Sequence, residues 1–131
     1  MPVQYETWVD GMNRGDRSAA DAAFAPNCVV HLTGVPQPIS GIEAWKDTVR
    51  AFLVAFPDIH FTIEDRIDSG DRVAMRWHAR ATHKGPLRPL PATGRSIEID
   101  GLIFDRIENG MIVERWEQLD QTMILQQLGV Q

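Results

Sequence analysis

The chain has 131 residues, 44% hydrophobic and 24% charged, the composition of one packed globular domain spanning 1–131 and not of a disordered tail. Eighteen acidic against thirteen basic residues give a formal charge of −5, which repels a phosphate backbone and argues against a nucleic-acid partner. A single cysteine, Cys28, excludes a disulfide within the chain and fits a reducing compartment. The stretch from Met1 to Trp8 has neither a basic region nor an apolar core, and no apolar run approaches the roughly 20 residues of a membrane helix, so a cytoplasmic protein with no membrane partner is expected.

Tyr5, Trp8, Val9 and Met12 recur at helical spacing, with Gly15 as the stop. Asp16 can cap a second short helix with Ala20, Ala23 and Phe24 on its apolar side, ended by Pro26. Cys28 to Leu32 reads as a short β-branched strand, followed by a loop with Gly34, Pro36 and Pro38. Ser40-Gly41-Ile42-Glu43 has the form of a capping box, and behind it Ile42, Trp45, Val49, Phe52, Leu53 and Phe56 make one apolar stripe that Pro57 halts.

Strands follow. Ile59, Phe61, Ile63 and Ile67 alternate with polar neighbours. Ser69-Gly70 turns the chain into a second strand with Val73, Met75, Trp77, Ala79, Ala81 and His83 on one face. Arg72, Arg76, Arg80 and His78 take the other, where a salt-bridge ladder with Glu98 or Glu64 is expected. The segment from Gly85 to Gly94, with Pro86, Pro89 and Pro91, is read as an exposed loop. A third strand runs from Arg95 to Ile107, turns at Asn109-Gly110 and returns from Met111 to Leu119, completing an antiparallel meander. Ile97 and Ile99 differ in parity from Leu102 and Phe104, so a bulge at Gly101 is predicted that turns both pairs towards the core. Met123, Ile124 and Leu128 form a last short helix, stopped at Gly129. The predicted fold is α+β, a curved antiparallel sheet wrapped around the N-terminal helices and the middle helix, with a cavity at its open end.

The four histidines, His31, His60, His78 and His83, lack metal-ligand spacing, so no metal is expected. There is no nucleophile elbow and no glycine-rich phosphate loop. What remains is acid–base chemistry by carboxylates and imidazoles in an apolar pocket. Asp120 shares strand parity with Trp116 and Gln118, which puts a carboxyl at the rim of an aromatic-lined cavity, where partial burial would raise its pKa. Placed directly before Gln121-Thr122-Met123, it reads equally well as a helix N-cap. His83 points inward at the end of its strand, either towards the pocket or as a core histidine held by a backbone carbonyl, and the same choice applies to His31. Asp100, beside the predicted bulge, can face either way. Trp45, Trp77 and Trp116, core residues by default, also offer flat walls for a planar ligand, and with Phe56 and Leu102 they are the expected lining.

The segments Asn13-Arg14-Gly15-Asp16, Phe56-Pro57-Asp58, Gly70-Asp71-Arg72-Val73, Thr82-His83-Lys84-Gly85, Pro91-Ala92-Thr93-Gly94, Val113-Glu114-Arg115-Trp116 through Asp120, and Gln127-Leu128-Gly129 occur in this order. Together they resemble the SnoaL-like polyketide cyclase (ester cyclase) family over nearly the whole chain. The resemblance implies the cone-shaped α+β barrel of the nuclear transport factor 2-like superfamily and ring closure by intramolecular aldol condensation without a cofactor. It also implies a small hydrophobic carbonyl substrate such as a polyketide. It places the proton-moving acid at Asp120 and the family's Thr-His-x-Gly histidine at His83, while Ala92 departs from the usual Pro-Pro-Thr-Gly. A homodimer is expected through the outer sheet face, with Arg72, Arg76 and Arg80, and with Val113 and Leu119 on the side of Arg115 and Glu117. The same fold hosts two other chemistries: an epoxide hydrolase, which would need Asp100 and Asp120 with an inward arginine, and a ketosteroid-isomerase-like enzyme. It also hosts non-catalytic ligand-binding or dimerisation modules, in which Asp120 would only cap the last helix.

Overall fold

The computed structural model describes residues 3–87 and 90–129, so Met1 and Pro2 of the N-terminal stretch and Pro89 of the proline-rich loop lie outside the described residues. Helix α1, Tyr5–Asn13, buries Tyr5, Trp8 and Met12, and the chain leaves it through Gly15 at φ 73°. Asp16 accepts from the Ser18 amide at 3.0 Å and opens a 3₁₀ turn, Arg17–Ala19, that runs into α2, Ala20–Ala23. The helical stretch ends earlier than expected because Phe24 and Pro26 already belong to strand β1, Phe24–Leu32. A register shift between Phe24 and Val29 accommodates the proline there.

Strand β2, Ile39–Ser40, pairs with Val29 and Val30 of β1. That pairing takes Ser40 out of helix geometry. The expected capping box does not form: the N-cap of α3, Ile42–Ala55, is Gly41 at φ 90°, with no side-chain cap. The apolar stripe is as read, with Trp45, Val49 and Ala55 buried.

Strands β3 (His60–Ser69), β4 (Arg72–Thr82), β5 (Ser96–Glu108) and β6 (Met111–Leu119) form the antiparallel meander, closed at its last hairpin by Asn109 at φ 53° and Gly110 at φ 74°. The six-stranded order is β2-β1-β6-β5-β4-β3, and β1 lies parallel to β6. Helix α4, Gln121–Gln127, ends the described chain near Gly129 at φ 82°.

Two bulges lie where the pattern gave no sign of them, and the predicted one is absent. The β4–β5 ladder runs unbroken through Gly101, which sits opposite Trp77. The glycine is needed because the Trp77 indole lies on it: a Cβ there would come within 2.2 Å of the ring. Ile97, Ile99, Gly101, Ile103 and Asp105 therefore share the inner face, and Leu102 and Phe104 face out, 59% and 43% exposed. In β3 a register shift between Ile63 and Asp65 reverses the alternation, so Phe61 and Ile63 pack inward while Ile67 is 68% exposed. In β6 a shift between Arg106 and Ile107 of its partner strand turns Arg115 inward and Trp116 outward.

Candidate active site

The concave face of the sheet and the helices enclose a cavity of about 460 Å³. Its wall is apolar over most of its extent. Trp8, Val9 and Met12 come from α1, Trp45, Val49 and Phe52 from α3, Phe61, Met75, Trp77 and Ile103 from the sheet, and Ile124 and Leu125 from α4. Such a hollow is the usual form of a small-molecule site, and its few polar groups fix what can be done inside it.

Among them are Tyr5 of α1, Thr33, Thr48 and Gln121, and the charged ones, Arg115 and Glu117, both come from β6. Arg115 is 1% exposed and Asp105, its cross-strand partner, 0%. The guanidinium grips the carboxylate with two bonds, Nε to Oδ1 at 2.7 Å and Nη2 to Oδ2 at 2.8 Å, the fork geometry that makes arginine the preferred partner of a buried acid. Tyr5 Oη donates to the same Oδ2 at 2.6 Å. Burial and the adjacent Asp105 push the phenol far above its usual range, so Tyr5 stays protonated. The pair with Asp105 keeps Arg115 charged in spite of its burial.

Glu117 stands two residues along β6 on the same face, lines the cavity, and is 12% exposed. Removal from water holds its carboxyl above the ordinary glutamate range; Arg115 pulls it down and Asp105 pushes it up. Arg115 Nη1 lies 3.4 Å from Glu117 Oε1, a long bond that leaves the carboxylate only partly neutralised. Asp105 is not on the cavity wall, so Glu117 is the carboxylate among the lining residues.

The expected site residues divide into three groups. Trp45, Phe56 and Trp77 line the cavity. His31, Asp100, Leu102 and Trp116, expected beside the ligand, lie elsewhere. His31 bonds Glu114 at 2.8 Å and stacks on Trp116, whose ring is 38% exposed on the outer face. Asp100, also exposed, bonds His78 Nδ1 at 2.8 Å and with Glu98 builds the outer ladder, holding His78 above its ordinary pKa. Leu102 is outward because no bulge redirects it.

Asp120 and His83 also fall outside the lining. Asp120 is exposed, and its carboxylate accepts from the Met123 amide at 3.0 Å as the N-cap of α4. The β6 face it was assigned to with Trp116 and Gln118 is the outer one. His83 is fully buried against Phe56, with Nδ1 accepting from the Thr93 amide at 3.2 Å and meeting the Thr93 hydroxyl at 3.0 Å. Its backbone bonds Arg95 and Gly94. Thr82-His83-Lys84-Gly85 and Pro91-Ala92-Thr93-Gly94 thus meet as the two sides of one loop clasp.

The residues that the sequence reading left out are Tyr5, Asp105, Arg115 and Glu117. Asp105 shares strand parity with Ile97, Ile99 and Ile103, a signal for one buried acid; Arg115 and Glu117 gave none, because unbroken alternation along β6 puts them on the outer face. Among the described residues no group of three or more His, Cys, Asp or Glu side chains could hold a metal ion, and no helix is long and apolar enough to cross a membrane.

A curved six-stranded sheet with helices packed over an apolar hollow is an α+β fold of the nuclear transport factor 2-like kind. The chain belongs to the SnoaL-like polyketide cyclase family, whose model matches residues 3–128. Among solved structures it is similar to IdmH of Streptomyces antibioticus, described as a candidate polyketide cyclase, at 33% identity over 96% of each chain with a TM-score of 0.83. It is also similar to AclR of Streptomyces galilaeus, described as a candidate hydroxylase, at 26% identity over 95% of this chain and 92% of that one, TM-score 0.84. TsrD of Streptomyces laurentii, 24% identical over 97% and 92% of the two chains with a TM-score of 0.87, shares the fold. No curated protein matches the chain.

Proposed function

We propose that the protein carries out cofactor-independent acid–base chemistry of the aldol type on a small hydrophobic carbonyl compound, such as a polyketide, and that Glu117 moves the proton. One observation carries this reading: the carboxylate on the wall of a 460 Å³ apolar cavity is desolvated and sits beside a fixed guanidinium. Desolvation makes a glutamate a stronger base, matched to a proton α to a ketone or ester. The Arg115 Nη1 group, 3.4 Å from Glu117, supplies the positive charge for the enolate oxygen that forms as the proton leaves. Trp45, Trp77 and Phe52 hold an extended chain folded so that nucleophilic and electrophilic carbons meet.

A hydrophobic aryl β-keto ester in D₂O should lose its α-proton signal faster with the protein than in buffer, followed by proton NMR. The rate should fall as the pH drops through the midpoint of Glu117, above that of a free glutamate, because the protonated acid cannot accept a proton. A bound keto ester whose exchange is no faster than in buffer overturns the assignment.

Asp105 and Glu117 flank Arg115, the composition that epoxide hydrolysis calls for. Asp105 does not line the cavity, however, and its carboxylate is held by three bonds from Tyr5 and Arg115, so it presents no second carboxylate to a cavity water. Proton abstraction at carbon needs a single carboxylate and fits better.

We further propose that two copies pair through the outer sheet face. The row Ile67, Ala74, Phe104, Trp116 runs through the register of four neighbouring strands and is joined by Leu102. This apolar band, with the charged Arg76 and Asp65 beside it, has the make-up of an isologous contact. Leu119 is not part of it, since it lines the cavity, and Arg115 and Glu117 likewise face inward. Light scattering should give twice the chain mass for the natural protein and a single chain mass for Leu102→Glu with Phe104→Glu; a natural protein of single mass contradicts the pairing.

A further inference from the structure

This inference rests on Glu117 being the ionisable group of the cavity, and does not depend on what Glu117 does to a ligand. We propose that Asp105, which never reaches the cavity, is a positioning residue: by absorbing the charge of Arg115 it decides how much of that charge Glu117 experiences. The two sit directly opposite each other on β5 and β6. The bidentate grip at 2.7 and 2.8 Å uses Nε and Nη2 and leaves only Nη1, at 3.4 Å, towards Glu117. Tyr5 holds the far side of the Asp105 carboxylate at 2.6 Å, and the Phe24 ring lies 4.8 Å from the guanidinium carbon. So enclosed, Arg115 cannot swing to make a close pair with Glu117.

An ion pair of this kind is nearly neutral when viewed from a third group, and its parts act in opposite senses on that group. The charged groups that bear on Glu117 are Arg115 on its own strand and Asp105 on β5; Tyr5 of α1, with Arg66 of β3 over its ring at 4.7 Å, bonds Asp105 and not Glu117. Arg66 is itself tied to Asp68 at 2.7 Å. With the Asp105 charge removed, Arg115 becomes an uncompensated cation in a dry site, and Glu117 is its nearest available partner. Glu117 would then ionise more readily and serve as a weaker base.

Carbon-13 NMR of glutamate-labelled protein reads this without a ligand, the Glu117 carboxyl signal being the one that Glu117→Gln removes. In Asp105→Asn the titration midpoint of Glu117 should move down by about one pH unit or more. In Asp105→Asn with Arg115→Gln, where both charges are gone, it should return to the natural value or rise above it. Tyr5→Phe should leave it in place. An unmoved midpoint in Asp105→Asn, or a double variant as low as the single one, overturns the proposal. Should Asp105→Asn fail to fold because Arg115 is left buried and unpaired, the double variant alone decides, and a midpoint below the natural one overturns it. These outcomes report the proton on Glu117, so a protein inactive towards keto esters does not affect them, nor does their failure touch the assignment of the base.

Discussion

Arg115→Met is expected to cost about 3–5 kcal/mol of folding stability, the range for breaking a buried ion pair by deleting one member. The size of the effect follows from what is left behind. Asp105 is 0% exposed and would be left buried with only the Tyr5 hydroxyl still bonded to it. Removing the whole set, with Arg115→Met, Asp105→Leu and Tyr5→Phe together, should cost much less, because no polar group then stays buried without a partner. Urea denaturation checks both. A loss under about 1 kcal/mol for Arg115→Met would mean that the pair is not desolvated as described.

Glu117→Gln is the second large effect, and it falls on activity. The amide fills the same space and can still meet Arg115 through its oxygen, so the fold should be kept, and relief of a desolvated carboxylate favours it further. Exchange of the α-proton should drop by about 10²–10⁴-fold, the usual contribution of a positioned base. Asp120→Asn is the informative comparison. Asparagine caps a helix as well as aspartate does, and Asp120 faces solvent with its oxygen on the Met123 amide, so exchange should stay within about threefold of the natural rate. The opposite pattern, with exchange lost in Asp120→Asn and unimpaired in Glu117→Gln, would return the base to Asp120.

Much of the fold was legible. The aromatic stripe of α3, the inward row from Val73 to Ala81, the Asn109-Gly110 hairpin and the last helix all follow from spacing and turn chemistry, because each depends on neighbours in sequence. The cavity was predicted from a bend at Gly101 that does not form, and the family resemblance added the cone. Three of the expected lining residues, Trp45, Phe56 and Trp77, lie on those legible elements.

The site itself was harder to read because it depends on one extra residue. Counting back from the Asn109-Gly110 turn pairs Asp105 with Glu114. The bulge in β6 pairs Arg106 with Glu114 and Ile107 with Ile112, which moves Arg115 opposite Asp105. Nothing in the local sequence announces that shift; it is fixed by the buried pair it creates and by Tyr5 a hundred residues away. The same residue put Trp116 outside, where an aromatic is expected inside, and with it went the pocket roles of Trp116 and Asp120. At Gly101 a glycine that usually signals a bulge was needed for the Trp77 ring instead. His83 was placed inward correctly in direction, yet its ring bonds Thr93, a partner ten residues on that strand parity cannot reveal.

The central claim is that the ligand lies in the inner hollow against Glu117 and not in the groove on the outer face of the sheet. Isotope-filtered NOE spectra of methyl-labelled protein with an aryl β-keto ester test this directly. Contacts from the ligand to the methyls of Met75, Ile103, Leu119 and Ile124, which line the hollow, are the predicted result. Contacts to Ile67 and Leu102, with none to those four, would contradict it.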